Sequence, residues 1–182
     1  MQLDTQLSVL HLGCGRKKEI GAFGVDLVKF PEVDLVHDLD SFPYPMKSDS
    51  FEKVLAIDVL EHVGNLVGAV DEIYRVCRDG AEVHITGPYA TSMDRHHDPT
   101  HKRGFTRLTF DYFIEGSEHF QRYGYSKGRF TRVRWGFRMN SPLYPWRRLA
   151  MKLANLFPGF YERYFAHLYP MDYVFFVLKV RK

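Results

Sequence analysis

The chain has 182 residues and a formal net charge of +3, and 45% of its residues are hydrophobic. This is the composition of an ordinary globular protein, and the length suits one domain over 1–182. No apolar run reaches the ~20 residues that a membrane-spanning helix needs, and the first residues do not read as a secretory signal. The cysteines, Cys14 and Cys77, belong to no CxxC pair, which predicts reduced thiols and a cytoplasmic location.

The charge is distributed unevenly along the chain. Residues 121–182 hold 13 Lys and Arg against two acidic residues, about +11, whereas residues 1–120 hold 12 against 20, about −8. Such asymmetry indicates an anionic partner for the C-terminal part: a phosphate-bearing substrate, a nucleic acid or a membrane surface. A solvated basic face is the alternative interpretation.

Short apolar runs in the first half predict five buried strands, at 7–12, 23–28, 33–37, 53–58 and 81–86. Continuous Val and Leu runs suit parallel strands covered on both faces. Between the last two runs, apolar residues from Val63 to Cys77 recur every three or four positions, which predicts an amphipathic helix that ends at Gly80. Strands alternating with helices and short turns indicate a parallel α/β sheet.

The second half departs from this pattern. Residues 89–104 are rich in His, Asp and Arg and predict a functional loop. Thr106 is expected to cap a short helix that reaches Phe113. A basic, aromatic helix is expected over 143–157, and two further strands over 130–139 and 173–180.

A glycine turn follows the first predicted strand, in the sequence VLHLGCG. Gly13 and Gly15 allow a tight turn and a close approach of a ligand to the backbone, and ligands of open parallel sheets bind at this edge. The nicotinamide fingerprint needs a third glycine, and Lys18 stands in its place. The turn therefore argues against a dinucleotide.

Carboxylates follow the next strands in order. Asp26 ends the second strand and suits the two ribose hydroxyls of an adenosine. After the third strand, HDLD offers Asp38 for the adenine amino group, with Asp40 as a competitor that would only fix the loop. Asp58 and His62 follow the fourth strand, where helix capping is the alternative role.

The series LGCG, GVDL, HDLD, DSFEKVLAIDVLEHV and EIYRVCRDGAEVHITGP resembles the class I S-adenosylmethionine-dependent methyltransferases, in particular their small bacterial type-11 members. The likeness covers 7–88 and resumes at 98–106. It implies an α/β, Rossmann-like methyltransferase fold: a mostly parallel seven-stranded sheet, helices on both faces and an antiparallel last strand. It also implies S-adenosylmethionine as the cofactor, bound by 1–88, with 89–182 as the substrate and lid half.

The resemblance implies eight cofactor-binding residues: Gly13, Gly15, Asp26, Asp38, Leu39, Asp58, Val59 and His62. Asp26 would bind the ribose diol, Asp38 and Leu39 the adenine, and the last three the methionine end. One departure from the family is the short segment 16–22, which leaves room for a turn or two of helix at most. Any cover over the cofactor is therefore expected from 89–170.

The cluster His96, His97, Asp98, His101 and Arg103 lies where acceptors of this fold bind. Methyl transfer needs a positioned acceptor and a group that takes its proton, so His97, Asp98 and His101 are the candidate catalytic residues. No metal site is predicted, because the spacing matches no standard zinc pattern. The alternative is a loop fixed by its own hydrogen bonds, with Asp98 paired to Arg103.

These features predict an enzyme that methylates a small-molecule, sugar or lipid-linked anionic acceptor. A non-catalytic S-adenosylmethionine-binding protein and an RNA methyltransferase are the alternatives, and nucleic acid is not the expected partner because the sequence contains no known RNA-binding module. The stretch 142–165 suits either an interfacial membrane helix or a cover over the site, and the cover is favoured. The sequence does not predict an oligomeric state.

Overall fold

The computed structural model describes residues 6–140 and 144–182. Within these ranges the strands are β1 Val9–Leu12, β2 Ala22–Asp26, β3 Leu35–Val36, β4 Phe51–Ile57, β5 Cys77–Pro88, β6 Phe130–Arg138 and β7 Tyr173–Val180. The helices are α1 Leu66–Val76, α2 Asp94–His97, α3 Glu118–Tyr123, α4 Pro145–Leu156 and α5 Pro158–Tyr164, with one 3-10 turn at Asp111–Phe113. No helix of the described part is long and apolar enough to cross a membrane.

The described strands form one sheet in the order β3-β2-β1-β4-β5-β7-β6. β1 pairs in parallel with both β2 and β4, and β4 pairs in parallel with β5. β7 runs antiparallel to its neighbours β5 and β6. The predicted α/β fold, mostly parallel with an antiparallel last strand, is confirmed. The strand order reverses at β1 and β4, the point where open α/β sheets bind ligands.

The centre of the sheet supplies much of the core. Leu10 and Leu12 of β1 are fully buried, as are Val54 and Ala56 of β4. Helix α1 buries Ala69, Val70, Ile73 and Val76, which is the apolar stripe expected from the sequence. The side chain of Asn65 caps this helix by accepting from the Gly68 N–H at 2.9 Å. The rigid centre of the sheet therefore fixes the loops that leave β1 and β4.

Two predicted helix boundaries are wrong. Helix α1 ends at Val76, because Cys77 adopts an extended backbone and pairs with Phe51 to begin β5. Gly80 consequently lies inside a strand and ends no helix. In place of the helix expected from Thr106 to Phe113 there is a turn followed by the short 3-10 segment. The backbone N–H groups of Thr109, Asp111 and Phe113 each donate to the carbonyl three residues earlier and not to the one four residues earlier, as an α-helix requires.

The helix expected over 143–157 is confirmed as α4, while residues 142 and 143 lie outside the described part of the chain. The loop between β5 and the 3-10 turn is fixed at its base. Ala90 N–H donates to the Phe105 carbonyl at 2.9 Å, and Phe105 N–H donates to the Pro88 carbonyl at 2.8 Å. Residues 91–104 therefore leave and rejoin the sheet at one point beside the end of β5.

Candidate active site

The loops that follow β1, β2 and β4 enclose a cavity of about 730 Å³. Gly13 follows β1 directly, Asp26 is the last residue of β2, and Asp58 follows β4. Because these strands are parallel neighbours, their carboxyl ends meet at one edge of the sheet. The cavity therefore lies where the sequence analysis placed the cofactor.

The cavity lining includes seven of the eight predicted cofactor residues: Gly13, Asp26, Asp38, Leu39, Asp58, Val59 and His62. The eighth, Gly15, lies behind this wall and donates its backbone N–H to Asp26 Oδ2 at 2.8 Å. The structure thus brings these residues together, and their individual roles remain predictions.

The carboxylate of Asp26 is oriented by backbone hydrogen bonds. Oδ2 accepts the Gly15 N–H, and Oδ1 accepts the Val28 N–H at 2.9 Å. A carboxylate has about four lone-pair sites, so each oxygen retains capacity for one further donor. The arrangement suits a pair of adjacent hydroxyl groups presented from the cavity.

Gly13 requires glycine for two separate reasons. Its φ of +63° lies in the left-handed region, which side chains other than glycine rarely adopt. A Cβ added there would lie 2.3 Å from Cγ2 of Val59. The turn after β1 therefore packs directly against the loop after β4, and any larger residue would push these two walls of the cavity apart.

Asp38 and Asp40 were the two candidates for binding the adenine, and their different environments distinguish them. Asp40 accepts the N–H groups of Gly64 and Asn65 at 2.7 and 2.8 Å and pairs with Lys102 at 3.3 Å. Its side chain thus fixes the start of α1, the structural role considered for it above. Asp38 Oδ1 accepts only the local N–H of Asp40 and faces the same cavity.

A segment of the loop after β5 covers one side of the cavity. Its residues Pro99, Thr100, His101 and Lys102 complete the lining. Lys102 N–H donates to the Glu61 carbonyl at 2.9 Å, which holds this segment against the loop after β4. None of the described residues of 142–165 lines the cavity, so the cover expected from that stretch comes from 99–102 instead.

A buried acid and two histidines lie close together where this segment meets the loop after β4. Glu61 is only 1% exposed, and its Oε2 has no hydrogen-bond partner. Its Oε1 lies 4.0 Å from Nε2 of His101, and the His101 ring stands edge-to-face with that of His62 at 4.7 Å between centroids. The Nδ1 atom of His101 is also buried without a partner. Unsatisfied buried polar atoms are costly, so this cluster is a candidate for binding or catalysis.

Burial dominates the electrostatics of this cluster. It raises the pKa of Glu61 to about 8, and it lowers the pKa of His62, an effect that the neighbouring His101 reinforces. Enclosure in the cavity also raises the pKa of Asp58, against the opposing influence of His101. Burial therefore favours the uncharged forms of Glu61 and His62 near neutral pH.

Glu61, His62 and His101 are also the one group of the described residues whose arrangement could hold a metal ion, with ligand atoms all within 4.8 Å of one another. In this structure, however, Nδ1 of His62 is bonded to the Thr100 hydroxyl at 2.8 Å. That bond leaves Nε2 of His62 as the ring nitrogen available to a ligand. The expectation of no metal site stays a prediction.

The three predicted catalytic residues are not equivalent. His101 lines the cavity, with a side chain only 12% exposed. Asp98 accepts both the N–H and the hydroxyl of Thr100, at 2.8 and 2.6 Å, and these bonds lower its pKa. His97 is 70% exposed and lies beside Asp94, outside the cavity lining.

The pairing of Asp98 with Arg103, considered as an alternative, is not the arrangement found. Arg103 donates instead to the Gly64 carbonyl at 2.9 Å. The same is true of helix capping by Asp58 or His62, because Asn65 has that role. Helix capping therefore does not account for Asp58 or His62, whereas the bond from His62 to Thr100 does fix the loop after β5.

Sequence reasoning missed Glu61, Thr100 and Lys102 as site residues. Glu61 had a detectable signal, because it lies in the loop after β4 at the ligand edge, between the predicted site residues Asp58 and His62. Thr100 and Lys102 had none, because their positions depend on bonds to Asp98, Glu61 and Asp40 that no local pattern encodes.

Comparisons with known proteins agree with this geometry. Residues 18–85 match a family described as "Methyltransferase domain". No curated protein sequence matches the chain. Among solved structures, an S-adenosylmethionine-dependent methyltransferase from Archaeoglobus fulgidus is 18% identical, with a TM-score of 0.61 over 94% of this chain and 85% of that one.

Two further structures share the fold. Phosphoethanolamine N-methyltransferase 2 from Haemonchus contortus, in complex with S-adenosyl-L-methionine, has 16% identity and a TM-score of 0.56 over 99% of this chain and 50% of that one. The 4+2 cyclase SpnF has 19% identity and a TM-score of 0.57, over 98% and 76%. Over 18–85 the chain is therefore similar in sequence to a methyltransferase domain, and it shares its fold with S-adenosylmethionine-dependent methyltransferases.

Proposed function

We propose that this chain binds S-adenosylmethionine in the cavity and transfers its methyl group to a small anionic acceptor. The observation that carries the proposal is the convergence of seven predicted cofactor residues on one cavity at the strand-order reversal. On this proposal residues 1–88 hold the cofactor, and 89–182 contribute the acceptor side.

Each wall of the cavity then has a role. Asp26, already oriented by two N–H groups, accepts the ribose hydroxyls. Asp38 and Leu39 contact the adenine, one by its side chain and one by its backbone. Gly13 admits the methionine part close to the backbone, and the loop that begins at Asp58 lies beneath it.

The cofactor supplies an electrophilic methyl group, and the protein supplies position and a proton acceptor. The acceptor's oxygen, nitrogen or carbon atom forms a bond to the methyl carbon as the carbon–sulfur bond breaks, and its proton passes to a base. We propose His101 as that base. It lines the cavity, its Nε2 lies 4.0 Å from Glu61 Oε1, and its buried Nδ1 has no hydrogen-bond partner among the described residues, so a small rotation of the ring is needed to present that atom to an acceptor.

Glu61 and His62 are positioning residues in this proposal. His62 connects through Thr100 to Asp98, which stays ionised because the Thr100 hydroxyl bond lowers its pKa. This chain of bonds holds the segment 99–102 over the cavity. A change in any of its members would act on the orientation of His101.

The charge of the second half supports an anionic acceptor, such as a phosphorylated sugar or a lipid-linked intermediate. Residues 121–182 carry 13 Lys and Arg against two acids. Lys102 also lines the cavity, where it pairs with Asp40 at 3.3 Å. Both cysteines are free, which supports the cytoplasm as the compartment.

A cofactor-binding protein without methyl transfer is the second candidate, because the fold also occurs in the 4+2 cyclase SpnF. Methylation of RNA is a third, and it requires RNA affinity that falls steeply with salt. Turnover on a small acceptor distinguishes the first proposal from both.

Calorimetric titration with S-adenosylmethionine, S-adenosylhomocysteine and NAD tests the cofactor step. We expect micromolar binding of the first two and no binding of NAD. Asp26→Ala should weaken binding by about 50-fold, since hydrogen bonds to a charged group contribute about 1.5–3 kcal/mol. Asp34→Asn is the matched control: Asp34 bonds the Gly24 N–H and Lys18, outside the cavity lining, so affinity should be unchanged.

The methyl-transfer step is tested with cofactor carrying a labelled methyl group and a panel of phosphorylated sugars and lipid-linked phosphates. Label in a product supports the enzyme proposal. Cofactor binding with no transfer to any acceptor class would favour the binding protein, and absence of cofactor binding would overturn both.

A further inference from the structure

The helices after β6 carry an unusually apolar surface, which we call the 144–168 surface. Ten of its large hydrophobic side chains are exposed: Tyr144, Trp146, Leu149, Leu153, Leu156, Phe157, Phe160, Tyr164, Phe165 and Leu168. Leu156 is 67% exposed and Leu168 78%. A contiguous segment of this kind indicates an interaction site, whereas scattered exposed residues need no explanation.

Helix α4 shows how the surface is built. Its Ala154 is buried and Ala150 is half-buried, so small residues face the protein. Trp146, Leu149 and Leu153 recur at three- and four-residue spacing on its exposed part. The large apolar side chains therefore point away from the core.

An apolar groove runs between the two helices of this surface. Its volume is about 410 Å³, and aromatic and aliphatic side chains line it, including Leu153, Phe157 and Phe165. The groove is separate from the cofactor cavity, since the two share no lining residue. The surface therefore needs an explanation other than cofactor binding.

Cations border the apolar side chains. Residues 144–168 contain Arg147, Arg148, Lys152 and Arg163 against Glu162 alone, a net charge of +3. Arg148 and Lys152 line a shallow depression together with Leu149 and Pro145. Basic side chains beside Trp, Tyr and Leu are typical of helices that lie in the headgroup region of a membrane.

The other possible occupant, a second copy of the chain, fits less well. A two-fold symmetric contact would place the surface against itself. That would oppose two regions of net charge +3, whereas an anionic lipid surface carries the complementary charge.

We propose that the 144–168 surface binds the surface of an anionic lipid bilayer, with the apolar side chains inserted among the acyl chains and the cations at the lipid phosphates. This proposal does not depend on methyl transfer. The surface is also connected to the site loop, because the Thr91 hydroxyl donates to the Ala166 carbonyl at 2.7 Å. A lipid-linked acceptor held at the bilayer would lie beside that loop.

Sedimentation of the full chain with vesicles tests the proposal. We expect binding to vesicles of phosphatidylcholine mixed with phosphatidylglycerol, weak binding to phosphatidylcholine alone, and release by high salt. Replacing Arg148 and Lys152 by Gln together should weaken binding about 25-fold, since each cation near an anionic surface contributes about fivefold.

Leu153→Glu combined with Leu156→Glu should weaken vesicle binding at least about 100-fold, because two inserted leucines are lost. Ile20→Glu is the control. The Ile20 side chain is 99% exposed but does not belong to the 144–168 surface, so vesicle binding should not change. Cofactor affinity measured on the same preparations shows that each variant is folded.

Two results would overturn the proposal. One is equal binding of the wild type and the double leucine variant to the anionic vesicles. The other is a dimer in analytical ultracentrifugation that the double leucine variant converts to a monomer, with no vesicle binding by the wild type. That result would assign the surface to a second copy of the chain.

Discussion

The cofactor cavity and the 144–168 surface present their side chains in opposite ways. In the cavity, Asp26, Asp38 and Asp40 each accept backbone N–H groups before any ligand arrives. On the surface, Leu156 and Leu168 extend into solvent without a comparable constraint. The cavity presents a small number of polar atoms that backbone hydrogen bonds hold in place. The 144–168 surface presents a large apolar area bordered by cations.

This contrast separates two kinds of recognition. A small ligand is distinguished by hydrogen bonds at fixed positions, so one misplaced atom is decisive. A lipid surface has no fixed atoms, so affinity depends on the apolar area and charge that many residues supply together. Single substitutions should therefore act strongly in the cavity and weakly on the surface.

The largest effect is expected from His101→Asn. Loss of a general base typically costs a factor of 10²–10⁴, so turnover should fall about 1000-fold while cofactor affinity stays within about twofold. His97→Asn is the matched control, because that ring is 70% exposed and outside the cavity lining. Steady-state kinetics on the identified acceptor, with calorimetry of the cofactor, measures both. An equal loss of turnover in the two variants would show that His97 takes part in catalysis as much as His101.

Gly13→Ala should follow, with cofactor affinity reduced at least about 100-fold. The left-handed backbone costs an alanine about 1–2 kcal/mol, and the new Cβ also meets Val59 at 2.3 Å. Gly21→Ala separates the two contributions, because Gly21 has φ +77° but no atom within 4 Å of an added Cβ. Thermal unfolding should show the larger destabilisation at position 13, where the clash adds to the backbone strain, and calorimetry should show a loss of affinity at position 13 alone. Unchanged cofactor affinity in Gly13→Ala would show that the turn after β1 does not contribute to the cofactor site.

The smallest effect concerns stability and pH. Burial raises the pKa of Glu61 to about 8 from 4.5, so the folded chain keeps a proton that the unfolded chain has lost. The free energy of unfolding should therefore fall as pH rises from about 5 to 8, by about 3 kcal/mol from this group. Glu61→Gln should flatten that dependence, measured by urea unfolding across the range.

Glu19→Gln provides the control for this experiment, since Glu19 is exposed. It should retain the wild-type dependence on pH. The account of Glu61 fails if the Gln variant loses as much stability as the wild type between pH 5 and 8.

The residues around the cavity were predicted well from the sequence because each of them lies next to a strand that a short run of neighbouring residues defines. A glycine turn after β1 and a carboxylate at the end of β2 are placed by strands that their own apolar runs define, and the parallel pairing brings them together. The position of α4 followed from the chain's own pattern of apolar residues and prolines, whereas the antiparallel last strand was implied by the family resemblance.

The loop after β5 was not predictable in the same way. Its conformation depends on contacts distant in sequence, such as Lys102 to Asp40 and Lys102 to the Glu61 carbonyl. The cover was expected from 89–170, with 142–165 favoured within that range, and the residues that line the cavity are 99–102. Gly80 failed as a helix end for a related reason, since pairing of Cys77 with Phe51 begins β5 before the glycine is reached.

A crystal structure of the chain with S-adenosylhomocysteine would show whether the cavity at the end of β1, β2 and β4 holds the cofactor. We expect the ribose hydroxyls within hydrogen-bond distance of Asp26, the adenine beside Asp38 and Leu39, and the sulfur nearest Asp58 and His101. Density for the ligand in the groove of the 144–168 surface, or an empty cavity at saturating ligand, would contradict this expectation.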